Sequence, residues 1–155
     1  MKILGIEHIG IAVKDLDTNA PFWKHVLKIS HKGTETVAQE GVKTDIYDTG
    51  RGKVELLKST ISGSVIEKFL ENRGEGIHHV CFEVDNVNKA IIELKELNID
   101  VISDRPTVGA EGYNVVFIHP KSTGGVLVEL AQKKYLANFF FFQNFCFFQN
   151  QFPGL

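Results

Sequence analysis

The chain has 155 residues, 43% hydrophobic and 23% charged, which allows one domain or two small modules sharing a core. A formal net charge of -2 argues against a nucleic-acid binder, and no block of like charge marks a polyanionic tail. No run approaches the roughly 18 apolar residues of a membrane span, and Glu7 interrupts the N-terminus before a signal-peptide core can form, so no membrane partner is expected.

The pattern begins with an alternating strand over Ile3–Val13, in which His8, Gly10 and Ala12 point one way and Ile9, Ile11 and Val13 the other. Asp15-Leu16-Asp17-Thr18 offers N-cap residues for a helix over Thr18–Leu27, expected to bury Phe22, Trp23, Val26 and Leu27, with Pro21 in its first turn. Strands follow at about Lys28–Val37, Val42–Asp48 and Lys53–Lys58, the last two joined by a turn at Thr49-Gly50-Arg51-Gly52. Ser59–Ser64 connects to a short helix over Val65–Asn72, which Arg73-Gly74-Glu75-Gly76 ends.

The pattern then restarts. Gly76–Val84 reads as a strand, Asn86–Leu97 as a helix and Asp100–Ser103 as a short strand. A loop from Asp104 to Gly112 precedes strands at Tyr113–His119 and Gly125–Ala131. Both halves read β-α-β-β-β, with module one at about 3–58 and module two at about 76–131 of a domain spanning 1–133. The fold class is therefore α+β, built by internal duplication. Residues 134–155 are a Phe/Gln/Asn-rich low-complexity tail without helical or strand period. It reads as an added segment, a late extension or a reading-frame artefact, with packing against a partner chain as the functional alternative.

Chemistry-bearing residues repeat with the pattern. Glu55 follows His8 by 47 residues, and Glu129 follows His79 by 50. In each strand the candidate lies opposite the apolar neighbours that should sit under a helix, so all four project to the face away from the helices. A carboxylate between apolar residues of a central strand is costly to bury unless paired or metal-bound. Taken singly, each is better read as a satisfied polar residue; the duplicated spacing favours one site assembled by halves packed face to face. Two imidazoles and two carboxylates without thiolate suit one borderline-to-hard divalent ion: Co, Mn, Ni, Zn, Fe or Mg. Cys81 and Cys146 have no zinc-type spacing; Cys81 reads as a buried thiol, which fits a reducing cytoplasm.

With Ile6-Glu7-His8-Ile9-Gly10-Ile11-Ala12-Val13, Glu55-Leu56-Leu57, Gly76-Ile77-His78-His79-Val80, and His119-Pro120-Lys121-Ser122 leading to Gly125-Val126-Leu127-Val128-Glu129-Leu130, the chain resembles the vicinal oxygen chelate (glyoxalase/bleomycin resistance/dioxygenase) superfamily. Within it, residues 4–133 resemble the methylmalonyl-CoA epimerases most closely. The resemblance implies two βαβββ modules curling a mixed sheet around one divalent ion, Co2+ foremost, held by His8, Glu55, His79 and Glu129. It implies interconversion of (2R)- and (2S)-methylmalonyl-CoA, an acyl-CoA partner and a homodimer.

Removing the C2 proton of such a substrate generates an enolate, so a metal and an acid/base group on each side of the plane are wanted. Glu129 is the candidate for one. Thr44 occupies the position where some relatives carry Glu, and Asp45 should point the other way, which leaves the second group open. His119, Lys121 and Ser122 are candidates for substrate contact, against the plainer reading of a turn and a solvated loop. His78 reads as a packed or hydrogen-bonded histidine. The alternatives are a glyoxalase-I-like lactoylglutathione lyase, against which the His-Pro-Lys-Ser segment counts, and a non-catalytic small-molecule-binding module of the same fold.

Overall fold

The alternation and caps of the sequence become strands and helices largely where they are expected. The computed structural model describes residues 1–134. The first half contains β1 (Ile3–Ala12), α1 (Leu16–Pro21), β2 (Ser30–Val37), β3 (Val42–Asp48) and β4 (Lys53–Ser59). A connecting helix, α2 (Val65–Arg73), leads to β5 (Gly76–Val84), α3 (Val87–Glu96), β6 (Thr107–Val108), β7 (Asn114–Ile118) and β8 (Val128–Gln132). Asp15, Ser64 and Asn86 cap the three helices by accepting from the amides of Thr18, Glu67 and Lys89.

The eight strands form one sheet in the order β2-β3-β4-β1-β5-β8-β7-β6. Each half keeps its own parallel pair, β1 with β4 and β5 with β8, and the halves join through antiparallel β1 and β5. The modules therefore meet edge to edge along a ladder rather than face to face, and the curl of the shared sheet brings their candidates together.

The β1–β5 ladder carries a β-bulge just before each ligand-type histidine. Ile6 pairs Phe82 and His8 pairs Cys81, which leaves Glu7 as an extra residue in β1; Gly10 pairs His79 and Ile11 pairs Ile77, which leaves His78 extra in β5. A bulged residue escapes strict alternation.

On one side of the sheet, α1 packs its Leu16 on Val13, Tyr47 and Leu56, while α3 covers Val84, Val116, Ile118 and Leu130. The expectation that the candidate ligands face away from all helices fails for α2. Its Ile66 packs on Ala12, Val42 and Leu57, which share strand parity with the candidates, so α2 closes part of the concave face.

Other expectations are corrected. After Pro21 the first helix widens into a π-helical turn over Phe22–Val26, closed by Leu27 N donating to Phe22 O at 2.9 Å. Phe22, Val26 and Leu27 are exposed rather than buried; only Trp23 packs on the core. The strand expected at Asp100–Ser103 shrinks to a single bridge, Val101 to Ile118, while β6 forms inside the expected loop. Extended pairing begins at Val128 rather than Gly125, after Gly124 and Gly125 turn the chain with positive φ. The tail and Cys146 lie outside the described residues.

Candidate metal centre and active site

The pairing register explains how four residues distant in sequence meet. Gly10 of β1 sits between Glu55 on β4 and His79 on β5. Cys81 of β5 sits between His8 on β1 and Glu129 on β8. The two halves thus place histidine, small residue and glutamate in equivalent positions, related by the reversal of β1 against β5. Gly10 is required by space: a Cβ there would lie 2.3 Å from Cε1 of His79. Its φ is not in the left-handed region, so the constraint is contact and not conformation.

Three candidates converge on one point. His8 Nε2 lies 2.8 Å from His79 Nε2, and Glu129 Oε2 lies 2.9 Å from His79 Nε2 and 3.3 Å from His8 Nε2. One donor atom from each falls within 4.8 Å of the others, and all three residues are buried. Glu55 is also buried, but its carboxylate lies on the other side of the His8 ring, with Oε1 3.7 Å from Nδ1. Thr44, 1% exposed, donates its hydroxyl to Glu55 Oε2 at 3.4 Å. All of these residues line a cavity of about 280 Å³.

The electrostatics follow from burial and pairing. Burial alone would push the Glu129 carboxyl up, but hydrogen bonds and charge from His79 and His8 outweigh it and hold it at about 2. Burial would push His8 down, yet Cys81, Glu129, Glu7 and Glu55 raise it well above the ordinary imidazole range. Glu55 goes up because burial and the Glu129 and Glu7 charges exceed what His8 and His79 offer. Burial drives the thiol of the free, fully buried Cys81 up to about 12, and its Sγ lies within 4.8 Å of donor atoms of Glu7 and His8.

One participant, Glu7, went unread in the sequence, and His78 is hydrogen-bonded as expected. Glu7 faces the cavity, and its Oε2 accepts from His8 Nδ1 at 2.6 Å. His78 also lines the cavity, its Nδ1 2.9 Å from His79 Nδ1, and burial beside His79 lowers its pKa to about 4. Simple alternation would aim both residues away; the bulges bring them in, and no glycine or proline marks either bulge.

The remaining candidates are placed otherwise. His119 Nδ1 accepts from the Lys121 amide at 3.1 Å, Lys121 Nζ pairs with Asp100 at 2.8 Å, and Ser122 Oγ accepts from the Asp100 amide at 3.2 Å. This turn, tied to Asp100, does not line the cavity that holds His8, His79 and Glu129. Asp45 keeps to the other side of β3, where it accepts from Thr34 at 2.5 Å and Tyr47 at 3.3 Å.

A family model described as the Glyoxalase/Bleomycin resistance protein/Dioxygenase superfamily matches residues 7–117. The Homo sapiens protein named methylmalonyl-CoA epimerase, mitochondrial, is 41% identical over 128 residues, which is 82% of this chain and 73% of that protein. A Cereibacter sphaeroides protein named ethylmalonyl-CoA/methylmalonyl-CoA epimerase is 38% identical over 129 residues, 82% of this chain and 96% of its own length. A solved methylmalonyl-CoA epimerase in complex with methylmalonyl-CoA and NH4+ superposes with a TM-score of 0.81 at 31% identity, across 85% of this chain and 96% of that one. The edge-to-edge modules, the match to the superfamily model and relatives of this identity and coverage agree: the chain belongs to the Glyoxalase/Bleomycin resistance protein/Dioxygenase superfamily and, within it, to the methylmalonyl-CoA epimerase family.

Proposed function

We infer that this protein is an epimerase that interconverts (2R)- and (2S)-methylmalonyl-CoA by moving the C2 proton. The observation that carries the reading, beside the family, is the convergence of His8, His79 and Glu129 in a cavity able to admit an acyl group. The donor set fits a divalent ion: two imidazole Nε2 atoms and a carboxylate oxygen face a common point, with no thiolate among the three. His8, His79 and Glu129 would hold it, with Glu55 as fourth ligand, and Co2+ is the ion we propose first. When bound, the ion supplies Lewis-acid stabilisation of the negative charge that develops on the substrate as C2 loses its proton.

The chain's own residues do the rest. Glu129 turns Oε2 toward the imidazoles while Oε1 lies on the Gly109 side. Ionised by its pairing, Glu129 is assigned the role of accepting and returning the C2 proton at a carboxylate oxygen. Thr44 is spent on Glu55, so it orients a ligand and does not serve as the second acid/base. Val42, Leu57, Ile66 and Val115 give the cavity apolar walls that keep bulk water from the carbanionic carbon.

Further readings belong with this one. The 119–122 turn is assigned contact with the outer part of an acyl-CoA. Ile3, Leu4 and Ile6 on β1, exposed together with Phe22 and Val26, support a homodimer whose second copy covers them. The free Cys81 suits the reducing cytoplasm, and no helix among the described residues is long and apolar enough to cross a membrane. The deciding experiment follows C2 deuterium and epimer ratio of one methylmalonyl-CoA epimer in deuterated water, with chelator and after cobalt return. Metal-dependent exchange with loss of stereochemical purity is expected; no exchange in the cobalt-reconstituted protein overturns the assignment.

A further inference from the structure

The two bulges suggest a division of labour around the ligand histidines. We propose that Glu7, clamped by Lys53, is a positioning residue that fixes the His8 ring for ion binding, and that His78 serves His79 in the same way. The proposal rests on the reading of His8 and His79 as ligands. Each bulge inserts its extra residue immediately before the histidine, and each inserted side chain reaches the Nδ1 of that histidine.

The chemistry at His8 is unambiguous about the proton. An ionised carboxylate only accepts, so the 2.6 Å contact from Glu7 Oε2 requires the proton on Nδ1. With Nδ1 engaged, Nε2 is the nitrogen that faces His79 Nε2 and Glu129, where the donor atoms converge, and an ion bound there would take the place of its proton. A carboxylate behind a ligand imidazole both locks the ring and strengthens it as a donor. At His79 the partner is an imidazole, with His78 Nδ1 2.9 Å from His79 Nδ1.

Glu7 is itself held. Lys53 Nζ donates to its other oxygen at 2.5 Å and also pairs with Glu111, and the ammonium lies 5.3 Å from the centre of the Tyr113 ring. Glu7 and Lys53 side chains are only 8% and 15% exposed. A buried carboxylate with both oxygens engaged is built for orientation rather than for proton transfer to a substrate.

A purely structural role would predict a loss of fold stability and nothing else. The test therefore compares Co2+ affinity, by competition with a chromophoric chelator, in wild type, Glu7→Gln and Glu7→Leu, together with the melting temperature of each metal-free protein. Affinity should fall about 10- to 100-fold in Glu7→Leu. Glu7→Gln, which keeps an acceptor but no charge, should fall in between. In the Zn2+-loaded proteins, histidine 15N shifts should report a single Nδ1–H form at His8 in wild type and a mixture in Glu7→Leu.

Affinities within about twofold of wild type in both variants, with the His8 tautomer unchanged, overturn the proposal. If Glu7→Leu does not fold, Glu7→Gln alone decides by the same two readouts. A wild type that binds no Co2+ fails the ligand reading itself, a different outcome from variants that bind as well as wild type.

Discussion

Replacing Gly10 by alanine should act on the metal centre through one methyl group. The added Cβ would stand 2.3 Å from Cε1, 2.7 Å from Nδ1 and 2.8 Å from Nε2 of His79, so the whole ring edge is in the way. Reaching the 3.4 Å of ordinary contact requires a displacement of about 1.1 Å, the difference from 2.3 Å. Glu55 flanks Gly10 on the other strand, so the backbone has little room to retreat. Elsewhere Gly→Ala in a strand stabilises by about 0.4–1 kcal/mol through the unfolded chain. Here overpacking of about 1–3 kcal/mol should reverse the sign. A ligand moved by about 1 Å should lower turnover about 100-fold. The assay is cobalt titration beside C2 deuterium exchange in the reconstituted variant, with urea unfolding as a check on the fold. A variant that binds cobalt and exchanges deuterium like wild type would refute the contact argument.

Glu129→Gln should slow C2 deuterium exchange by about 100-fold or more, since it removes the proposed proton acceptor and a proposed ligand together. In the metal-free protein Glu129 is held at about 2 against an ordinary 4.5, a depressed value whose stabilisation is present above 4.5 and lost as pH falls toward 2. The melting temperatures of wild type and Glu129→Gln should accordingly converge across that window, and a constant gap would contradict the pairing. Leu56, fully buried against Val13, Leu16 and Tyr47, should cost about 2–5 kcal/mol as alanine in urea unfolding. Cys81, with its thiol pushed up to about 12, should resist iodoacetamide at pH 8 in the native protein and react after unfolding, as read from the mass of its own peptide.

The duplicated pattern and the strand parity were legible because burial on a pleated sheet enforces a period of two. That rule alone placed His8, His79, Glu55 and Glu129 on one face and Asp45 on the other. What escaped depends on tertiary context. A bulge adds one residue to a strand without needing a special residue type, so strict alternation gives the wrong direction for Glu7 and His78. Three large apolar side chains, Phe22, Val26 and Leu27, suggested a buried helix face, but the chain widens after Pro21 and leaves them exposed. The apolar residues of α2 carry no label saying which face of the sheet they will cover. The His-Pro-Lys-Ser segment identified relatives without revealing that its side chains are taken up by the Lys121 amide and by Asp100.

Among the described residues the two halves of the sheet share a single strand pairing, β1 with β5, and each half owns one imidazole and one carboxylate of the quartet. An ion held from both sides, as proposed, would close that seam like a rivet. Free ion at about 100 times its dissociation constant would add about 2.7 kcal/mol to the work of parting the halves. Amide hydrogens along β1 and β5 should then exchange more slowly in proportion to ion supply, while those of the outer β2–β3 ladder keep their own pace. The breathing of the sheet at its middle, and with it the exposure of the seam to proteases, would be set by how well the cell is provisioned with the ion.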